Sequence, residues 1–319
     1  MTDADLAAAL PRALATTDLR GALHGLGAPY RGKVRDVYPM PPDDGGERLL
    51  IVTTDRISAF DHVFDEPIPY KGQVLNRLAA HVFGQIADIA PHHLLSVPHG
   101  AVAVTRACAP VPVEFVVRGH LAGHALRVYE SGGRDLCGVR LPGGLRPYEA
   151  LPAPVLTPAT KAAEGHDEDT TLADVVARGI LPQADADTLH DLSIALFRRG
   201  QKIAAARGLV LRDTKFECGR DADGAWRVID EVLTPDSSRY ALSDGFDEAV
   251  GWGETPRHLS KEFMREWLLA LGYRGDGPAP ALPDALRISV ARRYLDLFET
   301  LTGSPFVPDE RDIADAITV

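Results

Sequence analysis

Apolar side chains recur in helical register at Val74, Leu75, Leu78, Val82, Phe83 and Ile86, which predicts an amphipathic helix over residues 72–88. A second pattern of this kind covers 186–207 and stops at Gly208, and the chain beyond Ser260 is again helical in character. Residues 1–28 read as a short Ala-rich helix and a Gly-punctuated loop. The run Leu49-Leu50-Ile51-Val52-Thr53-Thr54 has the continuous apolar character of a buried strand. Residues 30–38 read as one extended stretch, and 39–47, rich in Pro, Gly and Asp, as a turn. Residues 101–106 and 113–118 are β-rich and are expected side by side in one sheet. Strands at 209–216 and 226–232 flank Asp221-Ala222-Asp223-Gly224, a hairpin signal. Between them and the earlier strands lies 141–168, dense in Pro and Gly and ending in acids, which is expected as a long functional or disordered loop. No internal repeat is present. Strands and helices mix without regular alternation, which predicts an α+β fold.

Composition narrows the function. A chain of 319 residues with 45% apolar and 25% charged side chains buries a sizeable core. Its formal charge of −11 argues against a nucleic-acid partner, which needs a cationic surface, yet leaves room for a local cationic pocket. Cys108, Cys137 and Cys218 are too far apart for a C-x-x-C motif and are expected as buried, reduced thiols. The N-terminus is acidic where a secretory signal is basic, and no stretch reaches the ~20 apolar residues that span a bilayer. A cytoplasmic protein with no membrane partner is expected.

Three constellations could carry chemistry. In Arg31-Gly32-Lys33-Val34-Arg35, an extended backbone projects Arg31, Lys33 and Arg35 from one face, while Gly32 lets a ligand approach the chain. A phosphate-bearing ligand or a solvated basic strand both fit. In Asp213-Thr214-Lys215-Phe216-Glu217, period two places Asp213, Lys215 and Glu217 on one face. A two-residue hairpin turn would set 217 opposite 228 and 215 opposite 230, making Glu217 and Asp230 diagonal neighbours. Two carboxylates so close call for a cation between them, Mg²⁺ by preference, unless they belong to a surface salt-bridge ladder. The third is Thr157-Pro158-Ala159-Thr160-Lys161 through Gly165-His166-Asp167-Glu168-Asp169, a Lys in a Pro/Gly loop before clustered acids.

These segments, together with Thr54-Asp55-Arg56-Ile57-Ser58-Ala59-Phe60-Asp61, Glu114-Phe115-Val116-Val117-Arg118-Gly119 and Asp230-Glu231-Val232-Leu233-Thr234-Pro235-Asp236-Ser237-Ser238-Arg239, resemble the SAICAR synthetase family in content and order. The resemblance runs from about residue 30 to the end of the chain. It implies a ligase of purine biosynthesis that joins L-aspartate to carboxyaminoimidazole ribonucleotide (CAIR) with ATP, through an acyl phosphate. It implies a smaller β-rich N-terminal lobe (1–108) and a larger α+β lobe (109–319), with ATP in a cleft like those of ATP-grasp proteins and kinases.

Residue by residue, the resemblance assigns Gly32, Lys33, Arg35 and Lys161 to ATP, with the backbone from Thr105 and Arg106 to Cys108 along the adenine. It assigns Glu217 and Asp230 to Mg²⁺, and Arg118 and Arg239 to the ribonucleotide phosphate. Asp213, Lys215 and Asp167 fall around the imidazole and carboxylate, with Lys215 and Asp213 as the catalytic pair. One position departs from the family pattern. His124 stands where a serine contacts the phosphate, near an expected helix start, and is a candidate phosphate donor. A small-molecule kinase of related architecture and a nucleotide-sensing binding module are the competing readings. The kinase explains neither the 157–167 loop nor the 236–239 segment, and aspartate-dependent ADP release separates it from a ligase, while turnover of any kind removes the binding module.

Overall fold

Two antiparallel sheets organise the chain, which passes from one to the other after Arg106. In this computed structural model, which describes residues 1–161 and 168–317, the first sheet has five strands. Their spatial order is Tyr30–Arg31, Arg35–Asp43, Gly46–Thr53, Val102–Arg106 and Leu94–His99. Alternation buries Tyr38, Leu50, Val52, Val102 and Val104 on one face, under Leu19, Leu23 and Ile317.

Residues 30–38 are not a single strand. The chain reverses between Arg31 and Arg35, where the Gly32 amide donates to the Arg35 carbonyl at 2.8 Å, so a tight hairpin replaces the expected basic stripe. The expected turn at 39–47 is also corrected, because the strand runs on through Pro39, Pro41 and Pro42 to Asp43. Proline is tolerated there because the two-residue strand beside it leaves an open edge beyond Val37.

Residues 101–106 and 113–118, expected as neighbours, lie in different sheets. Past Arg106 the chain leaves the first sheet, and the Val111 amide, between Pro110 and Pro112, donates to the Cys218 carbonyl at 2.9 Å. Ala109–Pro110 pairs instead with the far end of Leu209–Arg220. That long strand is the spine of the second sheet, which has eight strands. It pairs with Val113–His120 on one side, and on the other with Ser238–Leu242 and then Trp226–Ile229.

The segment expected as a long loop contributes the strands Ala150–Leu156 and Ala159–Thr160 to this sheet. Pro152 and Pro154 interrupt the ladder between Ala150 and Val155, which is why the sequence reads there as loop.

The helix Lys71–Ile86 buries the six apolar positions that predict it and packs against Asp284–Thr302. Gln183–Ala205 covers the second sheet, and Gly208 follows it at φ +69°. The largest buried cluster draws on residues from Leu6 to Phe306, so α+β packing around one main core is the architecture. All three cysteines are free thiols, but only Cys218 is buried.

The start of Lys71–Ile86 sits hard against the first sheet. A Cβ at Gly72 would lie 2.1 Å from the Thr53 carbonyl oxygen, a backbone atom that cannot swing aside. Gly72→Ala is therefore expected to cost about 3 kcal/mol or more. Denaturant unfolding would show this as an earlier midpoint, whereas an unchanged midpoint would contradict the packing.

Candidate active site

Along the spine strand, Thr214, Phe216 and Cys218 point into the core, which sends Asp213, Lys215 and Glu217 to the other face. Strand register then chooses their neighbours. Asp213 is paired with Arg118 on one flanking strand and with Arg239 on the other. Its Oδ2 accepts from Arg118 Nη1 at 3.2 Å and from Arg239 Nη1 at 2.9 Å. Arg118 also donates Nε to Thr157 Oγ1 at 2.9 Å, and Arg239 donates Nε to Glu262 Oε2 at 3.0 Å.

Arg118 is 6% exposed and Asp213 2%. Burial pulls the Arg118 guanidinium below its ordinary value despite Asp213. For Arg239 burial acts the same way, but Asp213 and Glu262 more than offset it and its pKa is raised. Two guanidinium groups converging on one carboxylate suit a further anion, and their planar forks match phosphate oxygens. Gly123, at φ +54°, makes room for this, since a Cβ there would meet Arg239 Cζ at 2.5 Å.

Further along the same face, Lys215 Nζ lies 2.5 Å from Glu217 Oε1, 3.3 Å from Glu114 Oε1 and 3.4 Å from Asp230 Oδ2. Lys161 Nζ meets Glu217 Oε2 at 2.6 Å. Arg35 bridges Asp230 at 2.8 Å and Glu231 at 3.1 Å. Burial opposes the charge on Lys215, yet its carboxylate neighbours hold the pKa well above the ordinary lysine value. Asp230 responds in the opposite sense. Burial would raise it, but Arg35 and Lys215 hold its carboxyl far below the usual range. Among the described residues, four carboxylates (Glu114, Glu217, Asp230, Glu231) thus face three cations (Arg35, Lys161, Lys215). The surplus negative charge suits one more cation.

Glu217 and Asp230 do come together, but by a different route from the one expected. The turn carries three residues, with the Asp221 amide donating to the Ala225 carbonyl at 3.1 Å and Gly224 at φ +79°. Register therefore shifts by one, and Glu217 is paired with Ile229 instead of residue 228. A continued strand would turn Asp230 to the opposite face. Instead the strand ends at Ile229 and Asp230 adopts φ +64°, which returns its carboxylate to Lys215.

The other candidates are more dispersed. Gly32 and Lys33 form the tip of the first hairpin, where Lys33 Nζ pairs with Asp61. Arg31 Nη2 donates to the Thr17 carbonyl at 2.8 Å, so Arg31, Lys33 and Arg35 do not share a face. Thr105 is buried and lines a narrow cavity with Arg35, His93 and Asp230. The Arg106 side chain turns to the Gly45 carbonyl at 2.7 Å. His124 lies in the first turn of Gly123–Glu130, with Nε2 2.6 Å from Asp169 Oδ2. Asp167 lies outside the described residues. Sequence reasoning missed Lys71, Lys261 and Arg265, which border the same region. They carry no motif of their own, and tertiary packing alone brings them there.

The family model for SAICAR synthetase matches residues 28–280. A phosphoribosylaminoimidazole-succinocarboxamide synthase of Cytophaga hutchinsonii is 46% identical over 298 residues, covering 93% of this chain and 94% of that protein. Its counterpart in Bacteroides thetaiotaomicron is 46% identical over 310 residues, covering 96% of each. Among solved structures, the SAICAR-synthase from Saccharomyces cerevisiae complexed with SAICAR matches with a TM-score of 0.76 and 29% identity, over 92% of this chain and 99% of that one. A SAICAR synthetase in complex with ADP shares the fold, with a TM-score of 0.66 and 21% identity, over 88% of this chain and 99% of that one. The chain therefore belongs to the SAICAR synthetase family.

Proposed function

We propose that the chain joins L-aspartate to CAIR at the expense of ATP, giving SAICAR, ADP and phosphate in purine biosynthesis. The observation that carries this reading is the pairing, on one sheet face, of an arginine-flanked anion site at Asp213 with the acid-rich cluster around Lys215. A ligase of this kind must hold a phosphorylated substrate beside a nucleotide. A kinase needs only the second of these sites, and a binding module turns nothing over.

A carboxylate is a poor electrophile. Transfer of the γ-phosphoryl group to a CAIR carboxylate oxygen releases ADP and gives an acyl phosphate. The aspartate amine then attacks the carbonyl carbon, phosphate leaves, and the nitrogen loses its proton. In this reading Arg118 and Arg239 hold the ribonucleotide phosphate, while Asp213 keeps both guanidinium groups in place. Lys215 neutralises charge that develops on the transferring group. Lys33, Gly32 and Lys161 face ATP, and the backbone from Thr105 to Cys108 lies along adenine. Residues 1–108 then cover the nucleotide, and 109–319 carry the substrate and metal sites.

The carboxylate surplus fits Mg²⁺, which takes one or two protein carboxylates and completes its shell with phosphates and water. Glu217 and Asp230 would hold it, and its charge would offset that of the ATP phosphates. The partners are small molecules, and we place the protein in the cytoplasm. Among the described residues, no helix is long and apolar enough to cross a membrane.

Coupled ADP release with the ribonucleotide, with and without L-aspartate, tests the reaction. Release that needs aspartate and matches SAICAR formed is expected. Sustained release without it would favour a kinase.

His124 gives a finer test. A protonated imidazole would bind a phosphate more strongly than a neutral one. Between about pH 6 and 8, ribonucleotide KM for the native protein is expected to improve toward low pH relative to His124→Ser. Parallel profiles would leave His124 as the partner of Asp169 alone.

A further inference from the structure

Among the described residues, Arg212 is the largest side chain to be fully buried, with 1% of it exposed. Among those residues it has no ion pair, and its Nε and Nη2 have no hydrogen-bond partner. The acids that act on it are already engaged. Asp213 is held by Arg118 and Arg239, and Glu262 by Arg239 at 3.0 Å and Arg265 at 3.5 Å. The Arg212 guanidinium lies over the Tyr148 ring, 5.4 Å from its centroid. Burial pulls its pKa below the ordinary arginine value, with Asp213 opposing, and a guanidinium still keeps its charge there. Its field is felt nearby. After burial itself, Arg212 is the main influence that pushes the His120 imidazole down to about 4, so His120 adds no charge near neutrality.

A β-bulge brings Arg212 to this place. Leu211 is paired with Tyr240 and Asp213 with Arg239, so Arg212 is the extra residue of the spine strand. Leu211 and Phe216 both pack in the main core, which unbroken alternation forbids. The bulge thus turns Asp213, Lys215 and Glu217 to the reacting face and leaves a buried cation beside them.

A buried charge without a partner is costly, and an apolar side chain of similar length would fill the space without that cost. The charges nearby give the cation a use. Once Glu262 is set against Arg265, Arg118, Arg212 and Arg239 face Asp213 alone in this group. The surplus is two positive charges with Arg212 and one without it. A phosphate ester carries close to two negative charges near neutral pH.

We infer that Arg212 is a charge-selecting residue of the anion site, which without touching the ligand makes the site favour a doubly charged phosphate ester over a singly charged or uncharged one. The inference rests on the ribonucleotide reading of Arg118 and Arg239 proposed above, and adds to it a residue that acts through its field alone. Coulomb energy scales with the charge of the ligand, so the effect should fall in step with that charge.

The test uses full-length Arg212→Met and three forms of the carboxyaminoimidazole riboside as competing ligands at about pH 8, where a phosphate ester is a dianion. These are the 5′-phosphate, the 5′-sulfate and the free nucleoside, with two, one and no charges at that end. Affinity is expected to fall about tenfold for the phosphate, about threefold for the sulfate and not at all for the nucleoside. ATP KM should stay within about twofold. The thermal midpoint is expected to hold or rise, because the variant removes an unpaired buried charge. Arg212→Gln, also uncharged, carries the same comparison if Arg212→Met does not fold. Equal losses for all three ligands would make Arg212 a packing residue, as would a lowered midpoint without the graded loss. An unchanged phosphate affinity would overturn the inference outright. A native protein that binds nucleoside and phosphate ester equally would overturn the ribonucleotide reading itself, and is seen before any variant is compared.

Discussion

Glu217→Gln is expected to lower kcat by about three orders of magnitude while leaving the unfolding transition in place. Glu217 is the acid that both lysines share, at 2.5 Å from Lys215 and 2.6 Å from Lys161. The amide preserves its shape and removes its charge. The cluster then has as many cations as carboxylates, and the attraction for a further cation disappears. The metal site proposed there also loses one of its two ligands. Folding should survive, because Lys215 keeps Glu114 and Asp230 and the hydrophobic residues behind the strand are untouched. ADP release at saturating Mg²⁺, beside a thermal melt, gives the comparison. Near-native turnover would remove Glu217 from the metal site.

The second large effect concerns the arginines. Arg118→Lys or Arg239→Lys should raise ribonucleotide KM by about ten- to a hundredfold, with ATP KM changed about threefold at most. Each guanidinium uses one arm on Asp213 and Nε on a second acceptor, Thr157 or Glu262. A lysine ammonium reaches one of these points and cannot present a planar fork to a phosphate. Equal losses for both substrates would move the arginines toward the nucleotide.

Much of this site was legible in the sequence because it lies on strands. Period two alone sets Asp213, Lys215 and Glu217 on one face, and the structure keeps that order. The helix Lys71–Ile86 was equally plain, because its apolar spacing matches one face. What failed depended on backbone detail that composition does not encode. A single extra turn residue shifted the hairpin register, and the left-handed Asp230 undid the consequence. Gly32 allowed a reversal where an extended strand was expected. Residues 101–106 and 113–118 went to different sheets, because tertiary pairing with the spine strand claims the chain from Ala109 onward. Lys71, Lys261 and Arg265 carry no motif of their own, and only the packing of distant helices brings them to Asp236 and Arg239.

The central claim is that this sheet face activates a carboxylate by phosphorylation before the amine attacks. Oxygen-18 in the CAIR carboxylate tests it most directly, with phosphate collected from a turnover containing ATP and L-aspartate. The acyl-phosphate route predicts that each phosphate released carries one of the labelled carboxylate oxygens, in step with SAICAR formed. Unlabelled phosphate, with the displaced labelled oxygen appearing in water instead, would contradict it.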